Sequence, residues 1–91
     1  MSRKFFISET KEDVMNKEIE LKIGQNIRAA RENIKMTQDV LAAKLQLRGC
    51  DITRSAVAKI EVGQRHLYPD EIIIIKEILD VDFETIFYGK R

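Results

Sequence analysis

Residues 37–63, "TQDVLAAKLQLRGCDITRSAVAKIEVG", hold two amphipathic runs separated by a glycine-containing break. Thr37 is suited to cap the first run, because its hydroxyl oxygen accepts from an otherwise unpaired amide of the first turn. Leu41 and Leu45 lie four apart, with Ala42 beside Leu41, so a helix is expected over residues 38–47 with one apolar face. Gly49 supplies its stop. Thr53 caps a further helix through about residue 62, with Val57 and Ile60 inward and Gly63 at its end. Seven residues separate Leu45 from Thr53, which is long for a tight helix–helix connection. Closing seven residues rather than two costs only about 1 kcal/mol of loop entropy, which a packed core can offset. Ile52 is expected to fill an apolar position in the turn, and residues 48–51 to form an enlarged hinge.

On the N-terminal side, Ile23, Ile27, Ala30 and Ile34 follow one face of an amphipathic helix that should end near Lys35. The mixed-charge stretch "TKEDVMNKEIE", residues 10–20, permits a solvated helix, and Met15 and Ile19 continue the same spacing. Residues 1–9 are expected as a loose arm. On the C-terminal side, Pro69 fits the first turn of a helix, and Asp70 and Glu71 complement its dipole. The run Ile72–Ile75 can be read as a buried strand. The Pro-Asp-Glu start and the continuation to Ile78 and Leu79 favour a helix. A last short helix is expected over residues 82–87, with Phe83, Ile86 and Phe87 in the core. No hairpin signal and no repeat are present, so the expected fold is all-α, a compact bundle of about five short helices. The expected organisation is an N-terminal arm or solvated helix over 1–20, one domain over 21–88 and a tail over 89–91.

A chain of 91 residues suits one small core. The longest apolar run has four residues, far below the roughly 20 that span a bilayer. The apolar stretch near the N-terminus is too short for a secretory signal. Cys50 is the single cysteine, which excludes an internal disulfide and fits a reducing cytoplasm. The net charge of +1 hides a segregation. Residues 21–69 carry nine basic and four acidic residues, whereas the two flanks are net acidic. A basic block between acidic flanks is what a phosphate-facing surface requires.

On the helix over 53–62, Glu61 lies one turn beyond Val57 and about 40° round from it, leaning toward the core. Arg31 stands in the same relation to Ile27 on the first core helix. A buried carboxylate demands a partner, so an Arg31–Glu61 pair is expected, the alternative being two separately solvated charges. The opposite face presents Ser55, Lys59 and Val62, with Arg54 at its edge. Small side chains there permit close approach to a major groove, where Arg and Lys reach guanine acceptors; an ordinary solvated face has the same composition. Nothing suggests an enzyme. His66, the only histidine, has no Ser, Cys or metal-ligand partner at a standard spacing, and Cys50 alone makes no metal site. No phosphate-cradling glycine loop and no cofactor motif appears.

The runs "IGQNIRAARENIKMTQDVLAAKL" and "TRSAVAKIEVGQR" resemble the helix-turn-helix domain of the phage-repressor/Cro type, the XRE family, over about residues 22–87. The resemblance implies a repressor-like DNA-binding domain built on a helix-turn-helix, whose turn is enlarged in this chain. It implies a cytoplasmic, sequence-specific regulator of transcription from a bacterium, phage or mobile element, a repressor bound to double-stranded DNA. One such domain buries limited surface, so a homodimer on a palindromic operator is expected. No cofactor, metal or membrane is expected, and a regulatory protein partner is a further expectation. By position, Arg54, Ser55 and Lys59 would contact bases, while Gln38, Thr53, Gln64 and Arg65 would contact the DNA backbone. Arg31 and Glu61 match the family's structural ion pair. Two departures are the enlarged turn and "RHLYPD", residues 65–70, in place of a shorter link to the next helix. The alternative use of this fold is a protein-interaction module, antitoxin-like or anti-repressor.

Overall fold

The computed structural model describes the backbone of residues 2–90 and the side chains of residues 17–90. Its helices are α1 (Ser2–Asn33), α2 (Gln38–Leu47), α3 (Arg54–Glu61), α4 (Pro69–Leu79) and α5 (Phe83–Tyr88), with no strand among the described residues. Residues 2–9, expected as a loose arm, have helical backbone continuous with the rest of α1. The sequence contains no proline before Pro69, so nothing in this segment removes a helical hydrogen bond. Met1 and Arg91, at the outer ends of the expected arm and tail, lie outside the described residues.

The helix boundaries follow from local chemistry. Thr37, Thr53 and Asp82 cap α2, α3 and α5 by accepting from Val40, Ala56 and Thr85 amides at 3.1, 3.2 and 2.8 Å. At the end of α2 the Gly49 amide donates to the Gln46 carbonyl at 3.0 Å and the Cys50 amide to the Leu45 carbonyl at 2.9 Å. The Gly63 and Gln64 amides repeat this paired closure at the end of α3, to Ile60 and Lys59 carbonyls at 3.1 and 2.8 Å. Both pivots are left-handed, with φ of +86° at Gly49 and +76° at Gly63. Lys35 takes the equivalent place after α1 with φ +58°. The turn therefore begins at Ile34, which is 47% exposed instead of extending the buried face of α1.

The core is built from Ile23, Ile27 and Ala30 of α1, Leu41, Ala42 and Leu45 of α2, and Val57 and Ile60 of α3. Ile75 and Leu79 of α4 and Ile86 of α5 complete it. α1 packs on α3 and α5, and α2 packs on α3 and α4. The four isoleucines of α4 split by helical geometry: Ile75 is buried, Ile72 and Ile74 are half-buried and Ile73 faces outward. Phe83 and Phe87 do not join Ile86 in the core as expected. α5 has only six residues and one buried position, so the two rings stack outside at 6.2 Å. The Lys76 ammonium lies 5.1 Å from the Phe83 ring centre.

The long connection between α2 and α3 is a packed hinge. Ile52 is fully buried and Cys50 nearly so. Gln46 donates through Nε2 to the Ile52 carbonyl at 3.1 Å, and Arg48 pairs with Glu77 of α4. The extra residues therefore add core contacts and leave α3 seated against α1. That seating is close: a Cβ built on Gly24 of α1 would lie 2.2 Å from the Ile60 carbonyl oxygen of α3.

Candidate nucleic-acid interface

The first turns of α2 and α3 open on a common concavity lined by Arg28, Arg31, Thr37, Gln38, Asp39 and Arg54. Each helix start leaves amides that its own helical ladder does not use, and the aligned peptide dipoles make it partly positive. The caps Thr37 and Thr53 are both exposed at these starts. Backbone and side-chain donors thus converge on one surface, an arrangement suited to an anion.

Behind this surface three helices meet on one carboxylate. Arg31 donates through Nε to Glu61 Oε2 at 2.7 Å and through Nη2 to Oε1 at 3.0 Å. Its Nη1 donates to the Met36 carbonyl at 2.7 Å. Gln38 donates from Nε2 to Glu61 Oε1 at 3.0 Å, joining α2 to the α1–α3 pair. The hydrogen bond to Glu61 raises the Arg31 pKa above its ordinary value against the opposing effect of burial, so the guanidinium stays charged. Among the described residues, no buried side-chain nitrogen or oxygen is left without a partner.

The face of α3 opposite Val57 and Ile60 presents Arg54, Ser55 and Lys59, all exposed, with half-buried Ala58 between them. Arg54 Nε lies 3.7 Å from Asp39 Oδ1, with both side chains more than two-thirds exposed. A pair so solvated holds the guanidinium weakly, by at most about 1 kcal/mol, and leaves it available to a ligand.

The loop after α3 carries Gln64 and Arg65 in different settings. Gln64 is exposed, but Arg65 turns onto Glu71, donating to Oε1 at 3.0 Å and to Oε2 at 3.2 Å, and also to the His66 carbonyl at 2.8 Å. Glu71 in turn accepts from the Tyr68 amide at 3.1 Å, so the N3 carboxylate satisfies the N-cap backbone at the start of α4. Arg65 therefore ties the loop to the start of α4 through its two terminal nitrogens. His66 contacts Glu20 of α1 through Nδ1. Cys50 is buried, and burial pushes its thiol pKa up, which makes it a packing residue of the hinge. Among the described residues, no cluster of His, Cys, Asp and Glu could hold a metal ion.

Arg28 in the concavity was not anticipated as a site residue. Its signal in the sequence is the spacing to Arg31, since residues three apart share one side of a helix.

A family model described as helix-turn-helix matches residues 27–86, which take in α2 to α4 and parts of α1 and α5. No curated protein sequence matches the chain. Among solved structures, the restriction-modification controller protein C.AhdI from Aeromonas hydrophila is similar, at 28% identity and a TM-score of 0.67. The likeness covers 78% of this chain and 96% of that one. With its all-helical architecture and a family match over most of its length, the chain belongs to the XRE-type helix-turn-helix family of DNA-binding transcriptional regulators.

Proposed function

We propose that the chain is a sequence-specific repressor that lays α3 in the major groove of its operator. The observation that carries this reading is the outward face of α3, where Arg54, Ser55 and Lys59 are exposed beside the start of α2. Arg54 and Lys59 supply donors for guanine acceptors, and Ser55 permits close approach to base edges. Gln38, Thr53 and Gln64 hold the DNA backbone and set the register. Arg65 joins them as a backbone contact, held beside Gln64 by its pair with Glu71.

One eight-residue α3 covers limited surface, so specificity calls for a homodimer on a palindromic operator, with half-sites about one helical turn apart. Exposed Phe83, Phe87 and Tyr88 on α5 support such self-association. Likeness to a restriction-modification controller protein supports a role in controlling gene expression. The same apolar face favours a second reading, a regulatory protein partner seated on α5.

Selection of bound duplexes from a random pool, followed by footprinting and a mass measurement of the complex, tests the proposal. A two-fold symmetric consensus bound by two copies is expected. Failure to enrich any sequence, with binding insensitive to salt, would transfer the fold to protein recognition.

A further inference from the structure

Arg28 is a cationic group in the concavity that the family resemblance does not assign to DNA. We infer that Arg28 is a phosphate-binding residue: with Thr37 and Gln38 at the start of α2, it seats one phosphate of the duplex that α3 reads. This rests on the proposed DNA-reading face, whose own test is separate.

Three guanidiniums and one carboxylate line the concavity, and they are held in different ways. Arg31 is locked in its buried pair with Glu61 and cannot leave without stranding that carboxylate. Arg54 stands at the edge of α3, where it serves base readout. Arg28 lies less than one helical turn before Arg31, yet its side chain is 58% exposed. Among the described residues its one hydrogen-bond partner is Glu32, which accepts from Nε at 3.1 Å and is itself 54% exposed. An exposed pair of this kind is weak and screened by salt.

A phosphate at the first turn of α2 meets free amides, the positive end of the helix dipole and the Gln38 side chain. A guanidinium beside it can bind two phosphate oxygens at once, which a solvated i,i+4 carboxylate offers less well. Glu32 thus parks Arg28 in the free protein, and phosphate displaces it. Because phosphate contacts carry no sequence information, Arg28 contributes to affinity and register and leaves base preference to α3.

The test measures duplex affinity against salt concentration for the parent, Arg28→Gln, Arg28→Lys and Glu32→Gln proteins. Arg54→Ala is run alongside, and thermal unfolding checks each fold. Arg28→Gln is expected to lose roughly tenfold in affinity, equally on the selected operator and on an unrelated duplex. Its log–log salt slope should fall by about 0.9 for each protomer bound. Arg28→Lys should keep the parent's slope, and Glu32→Gln should bind both duplexes more tightly. Unchanged affinity and slope in Arg28→Gln, with Arg54→Ala still losing operator affinity, overturns the inference and leaves the reading face intact. A loss confined to the operator also overturns it, by making Arg28 a base-reading residue. Should Arg28→Gln fail to fold, Glu32→Gln decides, and no gain on the unrelated duplex counts against the phosphate seat. A parent protein that binds no duplex removes the reading and the inference together.

Discussion

Arg31 and Glu61 close a two-bond ion pair between α1 and α3, with side chains only 9% and 2% exposed. Gln38 brings the start of α2 to the same carboxylate. The tilt of α3, and with it the position of Arg54, Ser55 and Lys59, is therefore set from behind by one buried anion. Such a pair adds little net stability, because desolvation cancels most of the attraction, but breaking it is costly.

Glu61→Gln should lower stability by about 3–5 kcal/mol, because it leaves the Arg31 charge buried without its counter-charge. Denaturant titration would show a lower midpoint with an unchanged slope. The double replacement Arg31→Met, Glu61→Leu should recover most of that loss. If the single variant is as stable as the parent, the pair is not fixing α3 in solution.

Gly24→Ala sets two effects against each other. Alanine is favoured over glycine inside a helix by about 1 kcal/mol. Its Cβ, however, would stand 2.2 Å from the Ile60 carbonyl oxygen, which belongs to backbone and cannot swing away. The clash should win, with a net loss of about 2 kcal/mol or more and weaker DNA binding as α3 is pushed from α1. A gain in melting temperature would show that α1 and α3 are looser than this packing.

The hinge between α2 and α3 predicts a contrast within one loop. Ile52 has no exposed surface, so Ile52→Ala should cost about 2–5 kcal/mol in lost burial and cavity formation. Arg48 pairs with Glu77 at the surface, both side chains nearly half exposed, and Arg48→Ala should cost no more than about 1 kcal/mol. Comparable losses for the two would mean that the hinge is held from outside and not by the core.

Much of this was legible in the sequence because it is local. The spans of α2, α3 and α4 follow from Thr37, Thr53, Pro69 and the glycines after α2 and α3, each acting within one turn of itself. The relation of Arg31 to Glu61 follows from two helical wheels. Periodicity failed where an element was too short or stopped early. Ile34 continues the stripe of α1 in sequence but falls in the turn that Lys35 makes, and α5 is too short to bury Phe83 and Phe87. The partner of Arg65 was hidden for another reason. Glu71 looks like a dipole-complementing residue of α4, and only the path of the loop brings it back to Arg65.

Acid should weaken the fold through Glu71 and Asp82. Burial pushes the Glu71 carboxyl up, but the Arg65 hydrogen bonds, the Tyr68 amide and the Arg65 charge together hold it below the ordinary value of 4.5. The Thr85 hydroxyl and amide hold Asp82 below its ordinary 3.8. Both groups bind protons more readily when unfolded, so their stabilisation is present above these ordinary values and lost as pH falls through the lower folded ones. Glu71→Gln should be less stable at neutral pH and should show a flatter decline below about pH 4.5. A decline as steep as the parent's would assign the acid sensitivity to other carboxylates.

Arg54 carries the sharpest prediction about recognition. Its side chain is exposed, and its pair with Asp39 is long and solvated, so its removal should leave the melting temperature nearly unchanged. On the operator, Arg54→Ala should cost about 1–3 kcal/mol in affinity and relax preference at one base pair of each half-site. Asp39→Asn is the matching control, because it frees Arg54 and should strengthen binding slightly without changing the consensus. Equal losses for Arg54→Ala on every duplex would make it a backbone contact. The enlarged hinge would then have turned α3 so that base reading falls to Ser55 and Lys59.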